Sequence, residues 1–336
     1  MSIRLLARTA AGLGLCLAAL SASATGTYSG LVVFGDSLSD SGNNALLLTQ
    51  ALGGLPPVNI TGDGDYSKIP SSAGTYSNGP VWTQYLAQSL GLALTPSLAL
   101  GNNYANGGAQ TSIDGNDIPG LPGFPYSMRY QLDGYLAATH NVADPNALYI
   151  VAGGGNNVRV ALEAIGAGAD PTATFSSAVT GYASDMAGLV GDLRAAGAQH
   201  VLVLNTPDFG LTPLAYATQS SAAATQLSWA MDQALNSALA GSGAVTFDMF
   251  GYLNQAVSSG VYSDVTHACA AAVNNCDVST SLFWDGIHPT TLGHQQLAAA
   301  VLATAVPEPE TYALMALGLV VVAASGRRRR AAVQQG

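Results

Sequence analysis

Four short apolar runs frame this chain. They fall at residues 31–34 (Leu-Val-Val-Phe), 147–151 (Ala-Leu-Tyr-Ile-Val), 201–204 (Val-Leu-Val-Leu) and 244–247 (Ala-Val-Thr-Phe). A strand that is apolar at nearly every position has no face to give to water. It must be covered on both sides, as in a parallel sheet flanked by helices. Between the runs lie stretches of helical character at 81–90, 128–140, 172–196, 221–240 and 291–303. This alternation predicts a three-layer α/β/α domain with a central, mainly parallel sheet. Two longer connections, 56–79 and 115–125, read as surface loops, of a length that goes either with shaping a binding site or with mobility. In open α/β sheets, ligands bind outside the carboxyl ends of the strands. Gly35-Asp36-Ser37 follows the first run, and Gly153-Gly154-Gly155-Asn156 follows the second, so both stand where a site is expected.

The two ends of the chain read as addresses. Arg4 and Arg8 precede an apolar run at 10–20 and the small-residue pattern Ala22-Ser23-Ala24. This predicts a secretory signal peptide over 1–24, cleaved after Ala24. The run falls short of the ~20 apolar residues that a membrane span needs. Leu15 precedes Cys16 where a lipoprotein signal wants a small residue. At the other end, Val306-Pro307-Glu308-Pro309-Glu310 leads into an apolar stretch at 312–324 and the block Arg327 to Arg330. That segment, 306–336, resembles the PEP-CTERM sorting signal of Gram-negative bacteria. The resemblance implies the membrane and an exosortase-like sorting enzyme as partners, and delivery to the envelope or extracellular matrix. The alternative is a plain tail anchor with its basic end in the cytoplasm.

Residues 25–305 remain as one domain, with ample chain for a sizeable core. Its strong bases are Lys68, Arg129, Arg159 and Arg194; against these 4 bases stand 18 acids, a net charge of −14. Such a field repels nucleic acid, and no basic stripe offsets it. Cys269 and Cys276 are the two cysteines left after signal cleavage. Export places them where a disulfide is expected. No His or Cys cluster has zinc spacing, so no metal is expected.

Serine hydroxyls become nucleophiles when a base takes the proton and the geometry is fixed. Ser37, at the end of the first strand, is one candidate; taken alone, Gly-Asp-Ser is also an ordinary turn or helix cap. Gly-x-Ser-x-Gly is absent from this site. In Trp284-Asp285-Gly286-Ile287-His288-Pro289, an acid and an imidazole three apart can meet on one turn, the acid holding one ring nitrogen and leaving the other as base. His294 ranks below His288, because no acid lies shortly before it. His140, His200 and His267 are read as structural or surface residues without an acidic partner. Asn102 to Ala109 and Gly154-Gly155-Asn156-Asn157 supply glycine N–H groups and asparagine amides, the donor types that stabilise an oxyanion. Dinucleotide binding at Gly153 to Gly155 fails for want of the later glycine.

Taken in order, these four elements resemble the GDSL/SGNH hydrolase family over nearly the whole domain. The flanking stretches Tyr76 to Trp82, Asn205 to Gly210 and Asp285 to His294 are similar as well. The resemblance implies a serine esterase or acylhydrolase that needs no cofactor. Ser37, His288 and Asp285 would form its triad, and Ser37, Gly107 and Asn156 its oxyanion hole. Gly108 remains a second choice for the glycine. Asn157 stands where the family usually has Asp, which implies altered local hydrogen bonding with activity retained. The substrate would be a lipid, short-acyl or polysaccharide ester. A surface-displayed matrix-binding protein and an acyltransferase are the alternatives.

Overall fold

The structure is a computed structural model that describes residues 28–118, 120–306 and 318. The expected signal peptide and almost all of the sorting segment lie outside the described residues. Four strands, β1 (Leu31–Gly35), β2 (Leu148–Ala152), β3 (His200–Leu204) and β4 (Val245–Phe247), form one parallel sheet in that order. Gly35 pairs with Ala152 and Ala152 with Leu204, so three carboxyl ends finish level.

The outer edge of β1 is taken by the irregular segment 102–106. The Val33 N–H donates to Asn102 O (3.0 Å), Tyr104 N–H to Val33 O (2.8 Å) and Asn106 N–H to Gly35 O (3.1 Å). The chain therefore leaves β1 to one side, pairs there, and returns to build the sheet on the other side. That reversal is the topological switch point where α/β sheets place their ligands.

Alternate strand residues feed opposite cores. Val32, Phe34, Tyr149, Val151, Val201 and Val203 pack on one face against the helices α3 (Met128–Ala138), α4 (Gly155–Gly166), α5 (Pro171–Ala195) and α7 (Ser221–Ala238). Leu31, Val33, Leu148, Ile150, Leu202 and Leu204 pack on the other against α2 (Trp82–Leu90) and α9 (Thr291–Ala305). Each such side chain contributes about 1.5–3 kcal/mol when removed from water. Both faces are covered, as the apolar runs require.

Four helices depart from the sequence expectation: α1 (Asn43–Leu52), α4, the short α6 (Pro213–Ala217) and α8 (Met249–Ser258). The buried residues of α1 are Asn43, Asn44 and Leu48, so the helix has amides where an apolar stripe is sought. α4 starts on a glycine and two asparagines, and its buried residues are Asn156, Val158 and Ala161. Cys269 and Cys276 are joined by a disulfide, with Cα atoms 5.5 Å apart.

Candidate active site

The turn after β1 is held from several directions. The Gln131 amide brackets the Gly35 peptide, accepting from its N–H at 2.9 Å and donating to its carbonyl at 2.9 Å. A Cβ at Gly35 would lie 2.6 Å from Ala152 O, so only glycine fits beside β2. The Asp36 carbonyl then accepts from the N–H groups of Ser39 and Asp40, both at 3.0 Å, which turns the chain and leaves Ser37 at its crest. Asp40 is fully buried and accepts four backbone N–H groups, from Gly42 (2.8 Å), Asn43 (2.7 Å), Asn44 (3.2 Å) and Gly107 (3.2 Å). Burial pushes its carboxyl up to about 6 against the pull of those donors. Asp40 thus ties the start of α1, the serine turn and the 102–109 loop into one unit. The Asn43 and Asn44 amides strengthen the tie by donating to Asn103 O, Ala105 O and Gly107 O. Burial also pushes Asp36 up to about 6, opposed by the Leu38 N–H and the charge on His288.

Asp285 and His288 sit in the loop that enters α9, 251 residues from Ser37 in sequence for the histidine. His288 Nε2 is 2.9 Å from Ser37 Oγ, and His288 Nδ1 is 2.7 Å from Asp285 Oδ2. The loop is tightly wound, with Asp285 Oδ1 accepting from Ile287 N–H (2.9 Å) and His288 N–H (2.7 Å). Asp285 Oδ2 also accepts from Ser67 N–H at 2.8 Å. Asp285 is fully buried, and His288 and Ser37 are only 2% and 5% exposed. An acid, an imidazole and a hydroxyl therefore stand in one line, with little water around them to compete.

The donors around Ser37 depart from the sequence expectation at one point. Gly107 N–H, expected in the oxyanion hole, points to Asp40 instead. Its neighbour Gly108, at φ 85°, has no acceptor for its N–H among the described residues, and neither does Ser37. The buried carboxylate of Asp40 takes the first N–H, and the left-handed turn at Gly108 frees the second. Asn156 donates one amide hydrogen to Ala109 O (3.1 Å), and its Oδ1 accepts from Arg159 (3.4 Å), which fixes the amide's orientation and leaves its other hydrogen. Asn157 exchanges hydrogen bonds with Thr111, at 3.0 Å from its amide nitrogen and 3.3 Å to its oxygen.

The profile of the GDSL-like lipase/acylhydrolase family matches residues 31–301. The chain belongs to the GDSL-like lipase/acylhydrolase family. A second profile, the PEP-CTERM protein-sorting motif, matches residues 305–330 and marks the chain for export to the Gram-negative envelope. Lipase 1 of Photorhabdus luminescens is 34% identical over 186 residues, covering 55% of this chain and 23% of that protein. Esterase EstA of Pseudomonas aeruginosa is 29% identical over 324 residues, covering 82% of this chain and 46% of that one. The chain thus spans less than half the length of these curated relatives. Among solved structures, Est24, a carbohydrate acetylesterase from Sinorhizobium meliloti, overlaps 81% of this chain and 96% of its own, with 17% identity and a TM-score of 0.43.

In this GDSL-family site, Ser37, Asn156 and His288 open onto a narrow cleft of about 30 Å³ walled by Tyr66, Tyr76 and Pro125. The 56–79 loop supplies both tyrosines, and the 115–125 loop supplies the proline, so both long connections shape the cleft. Lys68, Asp117 and Arg159 bring charge to its rim. Among the described residues, no three His, Cys, Asp or Glu side chains gather so as to hold a metal ion.

Of the other histidines, His267 alone departs from the sequence expectation. His294 is fully buried with both ring nitrogens unpartnered, and burial, then the charge of His288, pushes it down to about 3. His267 does have an acid, a correction to its reading as partnerless. Its Nδ1 lies 2.7 Å from Oδ2 of Asp264, three residues earlier. That pair faces solvent, so it remains apart from the site. Gln131, Asp40, Asn43, Asn44 and Ser67 were not singled out from sequence. Asp40 alone carried a local signal, as the acid three residues after the candidate serine.

Proposed function

We propose that this chain is an exported carboxylic ester hydrolase that works through an acyl-enzyme on Ser37. The observation that carries this is the hydrogen-bonded line from Asp285 through His288 to Ser37 Oγ, at 2.7 Å and 2.9 Å. With the Nδ1 proton held by Asp285, His288 Nε2 accepts the serine proton as Oγ attacks the ester carbonyl. Asp285 keeps the ring oriented and offsets its gained charge. The N–H groups of Ser37 and Gly108, with the free Asn156 hydrogen, point to where the carbonyl oxygen becomes negative. Gly108 takes the role first expected of Gly107, whose proton is engaged by Asp40. His288 then protonates the leaving alcohol, and water, activated by the same ring, releases the acid. Every step is a proton or acyl transfer among these side chains, substrate and water.

Export by a signal peptide over 1–24 and handling of the tail by an exosortase-like enzyme belong to the same proposal. Envelope delivery favours a polysaccharide acyl ester over a soluble metabolite. The test is hydrolysis of p-nitrophenyl acetate, butyrate and a long-chain ester by wild type and Ser37→Ala. Turnover by the first and none by the second supports the reading. Turnover that survives in the variant removes Ser37 from the mechanism. Failure of a fluorophosphonate probe to label Ser37 in an inert wild type would end the esterase proposal.

A further inference from the structure

A second concavity, larger than the catalytic cleft, lies at the other end of the sheet. It has a volume of about 380 Å³ against the carboxyl end of β4, within the ~300–1,000 Å³ usual for ligand sites. Its most exposed large apolar side chain is Trp229 on α7, which shows 54% of its surface. Trp82 and Trp284, by contrast, are 1% and 7% exposed. Gln233 and Asn236 follow Trp229 by four and seven residues, so they share its helix face. Neither amide has a side-chain hydrogen bond among the described residues. Phe250, in the first turn of α8, forms part of the opposite wall beside Asp248.

The groove also reaches a buried acid. Asp232 is 3% exposed; its Oδ1 accepts from Thr206 N–H at 2.9 Å, and its Oδ2 has no partner. Burial pushes this carboxyl up to about 8, with the charges of Asp248 and Asp208 adding to the effect. A buried carboxyl oxygen without a partner is costly unless a ligand or water can meet it.

A pyranose ring has an apolar C–H face and a rim of hydroxyls. The groove offers an indole plane for the first, and for the second two free amides and two carboxyl groups. It contains no cation to pair with an anionic ligand, and the domain's net charge repels polyanions. An acyl chain would leave the groove's amides and carboxyl groups without hydrogen-bond partners. We infer that the groove is a glycan subsite for a neutral polysaccharide, with Trp229 as its stacking platform and Gln233, Asn236 and Asp232 meeting the hydroxyls. β4 lies three strands from β1, and in a parallel sheet its carboxyl end opens on the same side, roughly 14 Å away at the usual strand spacing. A glycan of a few sugar units spans that distance, so one polymer can hold the groove and present an ester to Ser37. This last clause rests on the esterase reading, whereas the binding itself does not.

The experiment uses the full chain carrying Ser37→Ala, so that binding is read without turnover. Tryptophan fluorescence is followed during titration with hexasaccharides of β-1,4-linked glucose, xylose and mannose. Saturable change with at least one of them is expected, since Trp229 is the exposed indole. Adding Trp229→Ala should weaken binding by roughly tenfold or more, the effect of truncating an aromatic anchor. That double variant is read by calorimetry, with its melting temperature as the check on folding. Gln233→Ala gives a second variant at an exposed position and should weaken the same ligand. No saturable response to any of the three sugars overturns the inference, as does binding that survives Trp229→Ala. A response to tetramethylammonium alone would make the groove a cation site, and one to phosphatidylcholine vesicles alone a lipid site; either overturns it. A wild type that binds glycan but leaves p-nitrophenyl esters intact and is not labelled at Ser37 by a fluorophosphonate would sink the esterase reading and leave the subsite standing.

Discussion

The molecule contains two aspartate–histidine pairs with the same spacing and the same 2.7 Å contact. Asp285–His288 has side chains 0% and 2% exposed, and Asp264–His267 has 18% and 47%. In the first, the far ring nitrogen meets Ser37 Oγ. In the second, among the described residues, the ring's one further hydrogen-bond contact is Thr266 Oγ1 at 3.2 Å, on the same ring nitrogen that faces the acid. Local sequence is enough to make the pair. A catalytic arrangement also needs a third group on the free nitrogen and exclusion of water, and both come from strands far away in sequence. The exposed pair shows what the buried one would be without them.

The largest effects should fall on one pair alone. His288→Ala and Asp285→Asn are expected to reduce ester turnover by roughly 10⁴-fold or more. His267→Ala and Asp264→Asn should leave it within about twofold, as surface changes far from the chemistry do. Steady-state kinetics on p-nitrophenyl butyrate check both, and an equal loss from the exposed pair would erase the contrast.

The next effect tests the donors around the buried pair. Asn156→Ala should lower kcat by about 10²–10³ with little change in KM, because the proposed mechanism gives its free hydrogen to the transition-state oxygen. A loss confined to KM would make Asn156 a substrate-binding group instead.

A third histidine sharpens the role of burial. His294 is buried like His288 but has no acid, and it is held neutral down to about pH 3. The unfolded chain takes up that proton below about 6.5. Stability is therefore fully present above 6.5 and is lost as pH falls toward 3, at up to about 1.4 kcal/mol per pH unit for one proton. Denaturant unfolding of wild type and His294→Leu across this range should differ in slope by that amount. Parallel slopes would mean the ring is reached by water.

The smallest effect belongs to the exposed pair. Hydrogen bonding to Asp264 raises His267 above its ordinary value. Burial works to raise Asp264, but the Thr266 N–H and His267 outweigh it and hold it low. The pair's contribution is complete from about pH 4 to about 6.5, the ordinary values of its two groups. It fades as pH rises through the raised His267 value or falls through the lowered Asp264 value. Solvent screening limits it to a few tenths of a kcal/mol, so His267→Gln should shift the melting temperature by about 1 °C or less at pH 5.5. A larger shift would show the pair to be structural.

What could be read from the sequence follows from where the signal lies. Strands buried on both faces are apolar at every step, so β1, β2 and β3 stand out within a residue of their ends. Ser37, Asp285 and His288 fall in short motifs, and the fold brings them within hydrogen-bond reach. α1 and α4 were missed because the faces they bury carry asparagines, which no hydrophobic period reports. The choice between Gly107 and Gly108 turns on a hydrogen bond to Asp40 formed across 67 residues, and spacing cannot show it. The acid beside His267 was legible at three residues and was passed over, because the neighbouring motif had already absorbed that pattern.

The hydrogen bond from Ser67 to Asp285 carries one more consequence. Ser67 lies in the 56–79 connection, whose Asp65 carbonyl also accepts the Gly286 N–H at 2.8 Å. Asp63 of the same connection accepts from the N–H of Ala268, the residue before the disulfide, and from the Asn274 amide inside the disulfide-closed loop. By composition this stretch looks like the safest place to lengthen, trim or graft a tag. It is instead a strut between the cystine loop and Asp285, the acid of the proposed triad. An engineer who changes its length here would be editing the turnover number from the surface of the molecule.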